Sequence, residues 1–196
     1  MCITLIAGYI ISREQKDDTL KNILTIPISF KKLLAGKLII CALISILFGI
    51  VCFTFTIIAE IFAGFPDFTL KLVVKALFQI TLENLFLYMA VLPIIVFTSR
   101  SSSGFLIGVI AAFVYGYGGM FAAGNMTLAN IYPITASLGL IGYRSYDTAV
   151  HWNFMLCAMS IILMICVAVV LILLMGEVEP KKTLRKAKHT VVKKGW

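Results

Sequence analysis

Between Leu38 and Phe62 the chain runs through 25 residues, LIICALISILFGIVCFTFTIIAEIF, with one charged side chain, Glu60. About 20 apolar residues in a helix cross the roughly 30 Å of bilayer hydrocarbon. Three further runs, 73–97, 105–123 and 152–175, are similar in length and character. In lipid every backbone polar group must be satisfied internally, which leaves helices or closed barrels as spanning structures. Runs this long and continuously apolar match helices, so the chain reads as all-α, a polytopic helical membrane protein with four complete spans. Residues 1–11, MCITLIAGYII, are apolar but too short to cross, and read as a partial span. They fit a re-entrant stub or, preferably, the remainder of a longer chain. No basic segment precedes them as in a signal peptide. The 73–97 run is expected to be interrupted at Pro93.

Composition agrees. Of 196 residues 61% are hydrophobic and 13% charged, with a mean hydropathy of +1.02, whereas soluble domains have about 25% charged residues. The net charge of +8 would suggest nucleic acid in a soluble protein; here its distribution describes topology. Arg13, Lys16, Lys21, Lys31, Lys32 and Lys37 in the 12–37 segment, Arg100, and seven cations from Lys181 to Lys194 fall on one side, against Lys71, Lys75 and Arg144 on the other. Excess Lys and Arg mark the cytoplasmic side. The 12–37 segment, the TSRSSSG loop and the basic tail 176–196 are therefore expected in the cytoplasm, and the 124–151 segment outside. That outer segment holds Pro133 and Gly139 as breaks and interfacial aromatics Tyr132, Tyr143, Tyr146 and Trp152, and suggests a short helix at the outer surface. The tail suits anionic headgroups.

The 12–37 segment has internal order. Asp17 and Asp18 suit a helix start, through capping and the helix dipole. Leu20, Ile23 and Leu24 share one face. Pro27 stops the helix, and Ser29 starts another that carries Lys31, Lys32 and Lys37 into the bilayer. A surface-lying loop and a docking element for a cytoplasmic partner both fit this pattern.

SREQKDDTLKNILTIPISFKKLLAGKLI resembles the loop after the second transmembrane helix in permeases of ABC type-2 exporters. The matching positions are Glu14, Asp18-Thr19-Leu20, Ile23-Leu24, Pro27 and Gly36-Lys37, with Asp18 where the family usually has Gly. The flavour is similar to permeases for bacitracin and lantibiotic self-protection. The resemblance implies that Asp17, Asp18, Thr19, Leu20, Ile23, Leu24 and Pro27 form a coupling helix on an ATP-binding subunit. It also implies six helices per permease, two permeases and two ATPases per transporter, a bacterial plasma membrane, and a chain here that lacks the first helix.

No ATP site is legible. A P-loop ending at Gly36-Lys37 requires Gly at position 31, which is lysine. His151 and His189 are isolated, and Cys2, Cys41, Cys52, Cys157 and Cys166 lie in apolar runs without metal-ligand spacing. No bound cofactor, metal site or catalytic residue is expected; ATP would sit on the partner. Within the 73–97 run, Glu83 is a carboxyl at membrane depth, a functional candidate by default. With Gln79 one turn away, it could line a translocation path, carry a proton in a secondary transporter, or lock helices together with Gln79 as its partner. Gly104, Gly108, Ala112 and Gly116 recur every four residues, a spacing that lets helices approach closely, within the chain or between two permeases. The implied function is an ATP-driven exporter of an amphipathic substrate such as an antimicrobial peptide or drug. The alternatives are a proton-coupled transporter using Glu83 and a non-transporting immunity or scaffold protein.

Overall fold

The computed structural model describes residues 5–10, 30–64, 69–99, 104–143 and 150–174. Among these the regular elements are all helical: a short stretch at 5–10, then α1 (Phe30–Ala63), α2 (Leu70–Thr98), α3 (Gly104–Ala122), α4 (Met126–Ile131), α5 (Pro133–Leu140) and α6 (Phe154–Leu174). Helices α1, α2 and α6 are long and apolar enough to cross a membrane. The 19 residues of α3 rise about 28 Å.

The long helices alternate in direction and define two ends. The near end carries the start of α1, the α2–α3 connection and the end of α6. The far end carries the α1–α2 connection, the end of α3 and the start of α6. Charges mark the apolar slab between them. On α1, residues 38–59 between Lys37 and Glu60 are uncharged and rise about 33 Å. The 21 residues of α6 rise about 31 Å. The 34 residues of α1 therefore overrun the slab, mainly with the lysine-bearing first two turns at the near end. At its far end α1 stops where Gly64 takes a φ of 69°, the left-handed geometry that glycine adopts without a Cβ clash.

Helix α2 runs without a break through Pro93. The proline removes one backbone donor, a loss that membrane helices tolerate when neighbours satisfy the freed carbonyl.

The inner core sits at the near end. Ala7 from the 5–10 stretch packs with Leu34, Leu38 and Cys41 of α1, Tyr88, Ile95 and Val96 of α2, and Ala168 of α6. The Tyr88 hydroxyl donates to Leu38 O at 2.7 Å, and Lys31 Nζ donates to Leu173 O at 2.7 Å. The second contact places a cation on the last carbonyls of α6, where the helix dipole favours positive charge. Of the four described cysteines, Cys41 and Cys157 are buried in the bundle and Cys52 and Cys166 lie on exposed helix faces; all four are free thiols.

The 124–151 segment departs most from the expected single surface helix. Two short helices occupy it, and both turn back into the bundle. Asn125 caps α4 by accepting from Thr127 N at 3.0 Å, and Pro133 occupies the first position of α5, where its missing donor costs nothing. Pro133 thus starts a helix. Gly139 does not break one: it lies inside α5, and the stop comes three residues later at Gly142, φ 66°. There Tyr143 N donates to Leu138 O at 3.0 Å and Gly142 N to Gly139 O at 3.3 Å, the paired bonds of a Schellman cap.

The depth of this hairpin follows from its contacts. The Tyr132 hydroxyl, at the α4–α5 turn, donates to Tyr115 O at 2.5 Å, seven residues or about 10 Å inside the end of α3. Ser160 Oγ donates to Ile131 O at 2.5 Å, six residues or about 9 Å inside α6. The pair enters and leaves at the far end, a re-entrant hairpin wedged against α2, α3 and α6.

Candidate functional site

Polar side chains in an apolar bundle are costly unless paired, so their partners show where the fold concentrates specificity. On α2, Gln79 and Glu83 sit one turn apart and both meet α5. Gln79 Nε2 donates to Ile141 O at 2.9 Å, taking up a terminal carbonyl of the short helix. Glu83 Oε1 lies 2.7 Å from Ser137 Oγ, and Ser137 is fully buried. Ser137 Oγ is also 2.6 Å from Ile134 O. The second carboxyl oxygen, Glu83 Oε2, is buried without a hydrogen-bond partner. Gln79 and Glu83 are therefore neighbours on one face, but Gln79 is not Glu83's partner. Both reach across to the re-entrant hairpin, and the helix-locking contact of Glu83 is made with a residue 54 positions away.

A second polar centre fixes the other side of the hairpin. Asn130, at the end of α4, donates from Nδ2 to Met126 O at 2.8 Å and to His151 O at 3.2 Å. Its Oδ1 accepts from Asn153 N at 2.8 Å and from Cys157 Sγ at 3.3 Å. Two donors and two lone pairs are all an amide side chain has. Beside the hairpin turn, an open-sided apolar cavity of about 440 Å³ is lined by Gly118, Phe121, Leu128, Ile131, Tyr132 and Pro133 among others.

Close helix contacts fall partly where the glycine spacing predicts and partly elsewhere. On α3, a Cβ at Gly108 would meet Thr98 Oγ1 at 2.6 Å, and Ala112 is buried. Those two members of the Gly104, Gly108, Ala112, Gly116 row thus pack within this chain. An equally short approach, here to backbone, is on α1, where a Cβ at Gly49 would lie 2.6 Å from the Thr81 Cα of α2. One turn earlier Ser45 is fully buried and donates to Asn84 O at 2.8 Å. Cys41, Ser45 and Gly49 form a small-residue row at the same four-residue spacing, a signal present in the sequence but diluted by the larger residues around it. Ser137 and Asn130 carried no such signal, because their partners are distant in sequence.

The expected coupling residues Asp17, Asp18, Thr19, Leu20, Ile23, Leu24 and Pro27 lie outside the described residues, as do Arg100 and the basic tail. What is described is their continuation. Residues 31–37, with Lys31, Lys32 and a buried Lys37, are the opening turns of α1 itself.

Neither curated proteins nor solved structures gave a match. A family model described as ABC-2 family transporter protein matches residues 1–119, from the N-terminal stretch through α2 and nearly all of α3, more than half of the chain. With its apolar spanning helices, the chain belongs to the ABC-2 transporter family as a multi-pass membrane component of a transporter.

Proposed function

We propose that this chain is the permease subunit of an ATP-driven exporter. A separate ATP-binding subunit would grip the 17–27 segment from the cytoplasm and hydrolyse the ATP. A second permease, identical or homologous, would complete the translocation unit. The substrate would be amphipathic, such as an antimicrobial peptide or a drug, moved out of the cell or its membrane. The near end would face the cytoplasm of a bacterial plasma membrane, in keeping with Lys31, Lys32 and Lys37 in the opening turns of α1 and with the expected excess of Lys and Arg on that side.

The observation that carries this reading is the continuity of α1. The lysine-bearing stretch that follows the 17–27 segment is not a separate surface element. It is the first two turns of a 34-residue helix that crosses the whole bundle. Displacing its near end moves a rigid rod, and the Lys31–Leu173 and Tyr88–Leu38 bonds tie that rod to α6 and α2. Force applied at 17–27 thus has a short mechanical route to three spanning helices.

Replacing Leu20, Ile23 and Leu24 with glutamate tests the reading. Copurification with the ATP-binding subunit is expected to be lost while the permease remains folded in the membrane. Retained copurification would sink it. Transport that persists without any ATPase and disappears in Glu83→Gln would instead favour the proton-coupled alternative, for which Glu83 at membrane depth is the supporting feature.

A further inference from the structure

The contact between Glu83 and Ser137 contains a proton count that does not close if Glu83 is charged. Ser137 Oγ lies 2.6 Å from Ile134 O and 2.7 Å from Glu83 Oε1. A serine hydroxyl has one proton to donate, yet both neighbours of an ionised site are acceptors. Two other hydroxyls near two carbonyls behave differently. Thr98 Oγ1 makes contacts of 2.7 and 3.2 Å, and Thr135 Oγ1 of 2.7 and 3.1 Å, one bond and one longer approach in each case. At Ser137 both distances are those of full O–H···O bonds.

A neutral carboxylic acid closes the count. The Glu83 O–H donates to Ser137 Oγ, the Ser137 O–H donates to Ile134 O, and each short contact holds one proton. Glu83 Oε2, buried and without a partner, then becomes a carbonyl oxygen rather than half of an unpaired anion, whose burial is far more costly.

Among the described residues none supplies Glu83 with a counter-charge. The nearest cation on α2 is Lys75, eight residues toward the far end, about 12 Å along the helix, and exposed. Against α2 are packed α1, whose charged and titratable groups toward this end are Cys52 and Glu60; α3, with Tyr115 and Tyr117; α5, with none; and α6, with Cys157. None of them forms an ion pair with Glu83, whose described side-chain partner is the Ser137 hydroxyl.

We propose that Glu83 is a proton-binding site, a neutral carboxylic acid whose proton completes the chain Glu83 to Ser137 to Ile134 O and thereby docks the re-entrant hairpin on α2. Removal of the proton leaves two acceptors facing one hydroxyl and a buried carboxylate that must draw in water. The α5 face then parts from α2, while α4 stays beside α6 through Asn130's three bonds to His151 O, Asn153 N and Cys157 Sγ.

The test uses the whole chain in lipid nanodiscs. Infrared spectra at neutral pH are expected to show a protonated-carboxyl C=O band that is lost in Glu83→Gln and moves to higher frequency in Ser137→Ala. Alkaline titration of the unmodified protein should convert that band to carboxylate and, over the same pH range, lower the hydrogen-exchange protection of residues 134–140, taken relative to an unstructured chain at each pH, several-fold. In Glu83→Gln, whose amide can donate to Ser137 as the acid does, protection should stay flat. Absence of a protonated carboxyl at neutral pH, or a band indifferent to Glu83→Gln, overturns the site. A band that titrates while protection in α5 does not change overturns the docking role. Should Glu83→Gln fail to fold, the titration of the unmodified protein still decides both points.

Discussion

Asn130 uses every hydrogen-bonding position of its side chain inside the bundle, and its partners come from α4, from the residues before α6 and from α6 itself. Leucine at this position fills similar space but leaves Asn153 N and two carbonyls without their partner. A fully buried orphaned group costs about 1–3 kcal/mol, and these three, part-buried, cost less each. Asn130→Leu is therefore expected to lower stability by about 2–4 kcal/mol, seen as a lower thermal unfolding midpoint in detergent. A midpoint equal to the unmodified protein's would mean that α4 is held by packing alone. Two glycines give a sharper contrast. At Gly139 an added methyl would lie 2.6 Å from Cys157 Sγ and 3.0 Å from Trp152 Cε3, so Gly139→Ala should destabilise by about 1–3 kcal/mol. At Gly36 nothing lies within 4 Å, and alanine in an open helix position gains up to about 1 kcal/mol. Gly36→Ala should leave the unfolding midpoint unchanged or raise it, so any loss of ATPase coupling in that variant would report on partner contact, not on folding. At this scale the sequence shows which residues are anomalous and not what they touch. Glu83 stands out as a carboxyl in an apolar run, and Gln79 looks like its partner because intrahelical spacing is visible in one dimension. Ser137 is one of many serines until the hairpin brings it to α2.

Between elements, the decisive contact is the α1–α2 hairpin, where backbones approach at Gly49 and Thr81. Without a hydrophobic driving force between helices in lipid, association rests on close packing and interhelical hydrogen bonds. The Cys41–Ser45–Gly49 row supplies both, through the Gly49 approach and the Ser45 bond to Asn84 O. A methyl at Gly49 meets backbone, which yields only if the helices separate. A methyl at Gly108 meets the Thr98 side chain, which also anchors itself to Ile94 O but can rotate. Gly49→Ala is expected to cost about 1–3 kcal/mol and Gly108→Ala less, with the order read from unfolding midpoints under identical detergent conditions. The reverse order would mean that the α2–α3 crossing dominates the bundle. The glycine row on α3 is easy to read because its four members are contiguous at one spacing. The row on α1 mixes cysteine, serine and glycine, and its importance depends on which face meets α2. That face is fixed by the hairpin, whose register no local pattern reveals.

For the whole molecule, lipid dictates the gross plan so strongly that run length and hydropathy alone indicate the spanning helices. The re-entrant pair escapes the same reading. Helices of six and eight residues are too short to display a period, and a segment held inside by Asn130, Ser137 and Tyr132 looks, in composition, like one lying at an interface. The distinction has a topological consequence. If α4 and α5 return to the end they came from, Gly124 and His151 face the same compartment, shared with Lys71 and opposite to Lys32. All four positions are exposed, which makes single cysteines there accessible to a membrane-impermeant maleimide. With the five native cysteines replaced, the proposed orientation predicts that Lys71→Cys, Gly124→Cys and His151→Cys are modified in intact cells, and Lys32→Cys only after permeabilisation. Modification of Gly124→Cys and His151→Cys from opposite sides would show that this segment crosses the bilayer. Reversal of all four would keep the hairpin and invert the protein, placing the basic segment where no cytoplasmic ATPase could reach it.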